Sequence, residues 1–280
     1  MMKILLLTLL FSQTLNAEIT QIFDTKSESS ISSKDFLSKL QSAGFVVLGE
    51  FHNNPTIQEA EAQIILDVTS SRQNKPATSV MWEFLNYTDQ NQTAAEFEKF
   101  NQGLITSQEF LTNTAGKQNL EYAPVIEAAK KTNATLIGLN LPRDLKQKVI
   151  AGGIGAIDPS YIPASHYVGG DQYLERFKVA MGEHIPASKL PNYFLAQCLT
   201  DSVMAEEASK NEKDLNFIVA GSFHTDYFDA TVARLKKLTN LSIVTLKIVD
   251  TKTASTDEMK DYSNGDKNYG AYADFIIFSK

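Results

Sequence analysis

Apolar residues fall along this chain in two rhythms. Short unbroken runs occur at "GFVVLGE" (44–50), "ATSVMWEFL" (77–85), "ATLIGLN" (134–140), "LNFIVAGS" (215–222), "LSIVTLKIV" (241–249) and "YADFIIFS" (272–279). Between them apolar positions recur every three or four residues. In "PTIQEAEAQIILDVTSSRQ" the residues Ile57, Ala60, Ile64, Ile65 and Val68 share one helical face, and Pro55 suits a helix start. Unbroken apolar runs predict strands buried on both faces, and strands alternating with helices predict a parallel sheet. The expected fold class is therefore α/β, a mostly parallel central sheet flanked by helices, with a helical insertion subdomain. Residues 18–280 read as a single domain, with helical insertions near 87–132 and 152–210. Residues 18–43 are polar and read as an exposed entry segment ending in a short helix from about Lys34.

The start of the chain departs from both rhythms. Lys3 is followed by an apolar run from Ile4 to Phe11 and a polar stretch ending at Ala17. That order predicts a secretory signal peptide over residues 1–17, and the run is too short to span a membrane. Cys198, in a helical pattern, is the only cysteine, so no internal disulfide is possible and no lipid-accepting cysteine follows the apolar run. Export without disulfides suits a soluble periplasmic protein. The net charge of −7 and the lack of a basic run argue against nucleic acid as a partner.

In a parallel sheet the carboxyl ends of all strands lie on one rim, where ligands bind. Here those ends carry Glu50 and His52, Glu83, Asn140 with Arg143 close behind, and His224. Gln197 and Asp201 sit four residues apart on one face of a mostly apolar helix and add to the same pocket. Two of the chain's four histidines follow an apolar run and a glycine in the same way, which favours a functional site over two unrelated core histidines. Such a set could bind a divalent metal. Alternatively, one histidine acts as general base while a carboxylate orients it. Arg143 could clamp a carboxylate or pair with Glu50 or Glu83.

Taken together, "VLGEFH", "WE", "GLNLPR", "AQCLTDSVMAE" and "VAGSFHTDY" resemble the ChaN-like haem-binding uptake proteins, which are grouped with erythromycin esterases and Tiki-type peptidases. The resemblance covers roughly residues 44–240. It implies an exported bacterial protein of haem or iron uptake, haem as cofactor and a homodimer that pairs two haems face to face. Its implied partners include an outer-membrane haem receptor. Glu50, His52, Glu83, Asn140, Arg143, Gln197, Asp201 and His224 match the group's shared pocket, which carries hydrolysis in the enzyme branches. A periplasmic hydrolase of peptidase or esterase type, with or without a metal, is therefore the alternative function. Tyrosine and histidine are suitable haem-iron ligands. The candidates are His166, Tyr167 and Tyr173 in "ASHYVGGDQYLERF", His184 in "MGEHIP" and Tyr227 in "FHTDYF".

Overall fold

The computed structural model describes residues 17–280, so the expected signal peptide lies, except for Ala17, outside the described residues. All six expected runs form strands: β3 (Phe45–Glu50), β4 (Thr78–Asn86), β5 (Thr135–Asn140), β6 (Leu215–Gly221), β7 (Ile243–Asp250) and β8 (Phe275–Ser279). Two further strands, β1 (Ile19–Asp24) and β2 (Ser29–Ile31), precede them. The helices are α1 (Ser33–Lys39), α2 (Pro55–Ser71), α3 (Gln90–Asn101), α4 (Ser107–Thr114), α5 (Ala123–Lys131) and α6 (Arg143–Gly152). They continue with α7 (Asp171–Met181), α8 (Leu190–Lys210), α9 (Ser222–Thr225), α10 (Ala230–Leu235) and α11 (Thr256–Asn264).

The strands form one eight-stranded sheet in the order β2-β1-β8-β7-β3-β6-β4-β5. The six strands from β8 to β5 are parallel, whereas β1 pairs antiparallel with both β8 and β2. The entry segment is thus not wholly exposed. Ile22 is buried in the core and aligned with Ile277 and Ile31. The strand was hidden in the sequence because Thr20 and Gln21 interrupt its apolar residues, Ile19, Ile22 and Phe23, and leave no run.

Each parallel strand feeds two cores. Val46 and Leu48 of β3 point to the face covered by α2 and α5, with Ile57, Ile64, Ile65, Val125 and Ile126. Phe45 and Val47 point to the opposite face, against Met204 and Ala205 of α8 and Val232 and Leu235 of α10. Helices α3 and α4 add Phe97, Phe100 and Phe110 to the first core. Helix α2 starts at Asn54, whose side chain accepts from the Ile57 amide and whose own amide donates to Asp250 at 3.0 Å. That cap anchors the turn carrying His52 to the end of β7.

Candidate functional site

At the carboxyl ends of β3, β6 and β4, which lie side by side, the structure brings together Glu50, His52, Glu83, Gln197, Asp201 and His224. They form a line of alternating acids and imidazoles. Glu50 Oε1 accepts from His52 Nδ1 at 2.9 Å, and the other His52 nitrogen lies 3.9 Å from Glu83 Oε2. The second Glu83 oxygen is 3.4 Å from His224 Nε2, and His224 Nδ1 donates to Asp201 Oδ1 at 2.7 Å. The Gln197 amide lies 3.3 Å from the same His224 nitrogen.

Both ends of the line are tied down. Tyr122 donates to Glu50 Oε1, and Gln58 Nε2 donates to Glu50 Oε2 at 2.5 Å. At the far end Tyr173 donates to Asp201 Oδ2 at 2.6 Å and Thr231 to Oδ1 at 2.9 Å. The Gly221 amide donates to Glu83 at 2.7 Å.

The glycine ahead of each histidine has a steric cause. A β-carbon on Gly221 would stand 2.5 Å from His52 Nε2, so only glycine leaves room for that ring. A β-carbon on Gly49 would stand 2.4 Å from Thr225 Oγ1. Glycine therefore lets the turns after β3 and β6 interlock and bring their histidines to one acid, Glu83.

The electrostatics follow from this packing. Burial favours neutral Glu83, but the adjoining His224 and His52 outweigh it and bring its carboxyl down to about 2. Burial pulls His224 down, yet Glu83 and Asp201 lift it to about 10. His224 is thus held as an imidazolium that faces Asp201 through Nδ1 and Glu83 through Nε2. Among the described residues no group of three or more His, Cys, Asp or Glu is arranged to hold a metal ion. His52 differs, because its side chain keeps 38% of its exposure. Burial lowers it, and Glu50 and Glu83 together raise it above the ordinary imidazole value.

Asn140 does not bond directly to this line. It accepts from Lys146 Nζ at 2.7 Å. Lys146 is sensitive to Glu83 and Asp201, while burial draws its amine below the usual lysine range. The expected cation, Arg143, is exposed at the start of α6; Lys146, three residues on, faces the acids, and Arg234 Nη1 lies 4.0 Å from Asp201 Oδ2. Sequence reasoning also missed Tyr122, Gln58, Glu61 and Thr231. Gln58 and Glu61 carried a signal, being polar residues on the same helical face as Ile65.

The haem-ligand candidates scatter. Tyr173 is buried and spends its hydroxyl on Asp201, so it belongs to the pocket. His166 Nδ1 lies 3.1 Å from Ser202 Oγ, and Tyr167 lies beneath Arg234 and Lys237. His184 is exposed just beyond α7. Tyr227, at φ 63°, enters a cleft of about 390 Å³ with Phe51, Val179, Tyr262, Tyr269 and Tyr272. Its ring centroid lies 5.3 Å from that of Tyr269 and 4.7 Å from that of Tyr272. Arg176 stands over Tyr227, and Lys247 lies 4.5 Å from the Phe51 ring centroid.

Fold and site together define a parallel α/β protein that gathers its polar chemistry at the carboxyl edge of the sheet. A family model described as "Haem-binding uptake, Tiki superfamily, ChaN" matches residues 36–235, and the chain belongs to that family. Among solved structures, "Cofacial heme binding to ChaN of Campylobacter jejuni" is similar at 18% identity and a TM-score of 0.69, over 93% of this chain and 96% of that one. The α/β fold is thus shared with that protein. The type III effector HopBA1 matches at 12% identity and a TM-score of 0.46, over 87% of this chain and 90% of that one. No match was found among the curated proteins.

Proposed function

We propose that this protein is an exported haem-binding protein of a bacterial haem or iron uptake system, and that it seats haem in the tyrosine cleft. The carrying observation is that cleft. A haem site needs an apolar slot, an iron ligand and cations for the propionates. Phe51 at 52% exposure and Val179 at 78% give an open apolar face. Tyr227, Tyr262, Tyr269 and Tyr272 supply phenol oxygens, and Arg176 and Lys247 line the cleft as buried cations paired with Asp229 and Asp226. Burial pushes Tyr262 up to about 12 and Tyr227 higher, so iron must displace a proton to be bound there.

The cleft is open on one side, which suits the face-to-face haem pairing described for the Campylobacter jejuni relative. A homodimer formed on haem binding follows. Membership of an uptake family supports export and an outer-membrane haem receptor as partner. Among the described residues no helix is long and apolar enough to cross a membrane. Titration with hemin should give a saturable Soret change at one haem per chain, with Tyr227→Phe shifting the visible bands. A spectrum that never saturates, or that ignores every tyrosine and histidine candidate, overturns the reading.

One observation favours a second reading as a hydrolase. Half-exposed His52, oriented by Glu50 through Nδ1, is arranged as a general base is. Peptide and ester screens should then find an activity that His52→Ala reduces by about 100-fold or more. A detected activity indifferent to both His52→Ala and His224→Ala rules this out.

A further inference from the structure

Beside Glu50 lies a second acid that the pocket line does not include. Glu61 of α2 is wholly buried, and no donor reaches either of its oxygens. Two more orphaned polar atoms belong to residues that touch Glu50 or its partner Tyr122. They are Gln58 Oε1, on the side chain that donates to Glu50, and Trp82 Nε1, whose ring packs 4.7 Å from Tyr122. The titratable groups facing Glu61 are Glu50 from β3 and Tyr122 from the turn before α5. Neither is a cation.

The two acids differ in their surroundings. Donors converge on Glu50 from Tyr122, Gln58 and His52. Nothing donates to Glu61. A buried carboxylate without a donor or a cation is too costly to persist, and like charges in contact cannot both ionise.

We propose that Glu61 is a positioning residue that shares a single proton with Glu50, forming a carboxyl pair that stores a proton directly behind His52. Glu61 carries the proton and presents it to the oxygens of Glu50, while Glu50 carries the charge and presents it to His52. Burial and the Glu50 charge both push the Glu61 carboxyl well above its ordinary range, in line with this assignment. The groups that set the His52 charge are then Glu50, Glu83 and His224. Glu61 acts on His52 only by keeping Glu50 in place and singly charged. The inference does not depend on haem and holds whether or not the pocket is catalytic.

The test uses the full chain labelled with carboxyl-¹³C glutamate. Infrared spectra at neutral pH should contain the carbonyl stretch of a protonated buried carboxyl group, and Glu61→Gln should remove it. In the same variant the NMR titration midpoint of His52 should stay within about half a pH unit of wild type, because one neutral group replaces another. Glu50→Gln should instead lower that midpoint by a unit or more. The absence of a protonated band in the wild type overturns the proposal without any variant. So does a fall of the His52 midpoint in Glu61→Gln as large as in Glu50→Gln, since Glu61 would then have been an anion.

Discussion

At the scale of single residues, the pocket depends on the lack of a side chain as much as on those present. Gly221 has an ordinary φ of −57°, so a methyl group there costs no backbone strain. It would instead occupy the place of the His52 ring. Gly221→Ala should leave the fold within about 1 kcal/mol of wild type while moving the His52 NMR midpoint toward 6.5, because the ring leaves its acids. A His52 midpoint unchanged in that variant contradicts the steric reading. His224 predicts a pH dependence. Folded, it holds its proton up to about pH 10, whereas its ordinary value is 6.5. Its contribution to stability is therefore whole below pH 6.5 and is lost as the pH rises toward 10. Urea unfolding across that interval should show stability declining, and His224→Gln should flatten the decline. Glu50, His52, Glu83, Asp201, Gln197 and His224 were legible because each follows an apolar run or stands out on an apolar helix. Lys146 was not, because a lysine near the start of a helix looks the same whether it faces solvent or a buried acid.

At the scale of elements, β3 carries the most. It lies between β6 and β7, feeds both cores and ends in Glu50. Leu48→Ala, at a fully buried position, should cost about 2–5 kcal/mol in chemical denaturation. It should also loosen the neighbouring pocket. A loss under about 1 kcal/mol would mean that the α2 face can collapse around the gap. Six strands were legible because burial on two sides leaves an unbroken apolar run. The missed elements lack such a run: Thr20 and Gln21 interrupt the apolar residues of β1, β2 is three residues long, and polar residues dominate α11. That helix spans "TDEMKDYSN", has no fully buried residue and rests on Met259 and Tyr262. Local chemistry still marked its start, since Ser255 and Glu258 form a capping box.

At the scale of the whole molecule, the fold parts two regions that the sequence motifs run together. "VAGSFHTDY" reads as one motif, yet its histidine faces the buried acids and its tyrosine faces the open cleft. The cleft itself was illegible, because Phe51, Val179, Tyr227 and Tyr272 are scattered along the chain and only the fold assembles them. If haem pairs two copies across that face, light scattering should show a monomer becoming a dimer at one hemin per chain. Phe51→Glu, which puts a charge on the apolar face, should weaken that shift while leaving the fold intact. A mass unaffected by hemin removes the dimer from the picture.

Helix α9 links the two regions through very little backbone. Ser222 donates to the Glu50 carbonyl at 2.8 Å and receives Lys247 from beneath the cleft, and two residues later His224 turns to Glu83 and Asp201. A genetic consequence follows. Lesions in this single turn are expected to be pleiotropic, so a haem phenotype from Ser222 or Asp226 is not evidence that the acid–imidazole line is dispensable. Testing the cleft and the acid–imidazole line independently requires alleles placed far from the turn, such as Glu61 on one side and Tyr269 on the other.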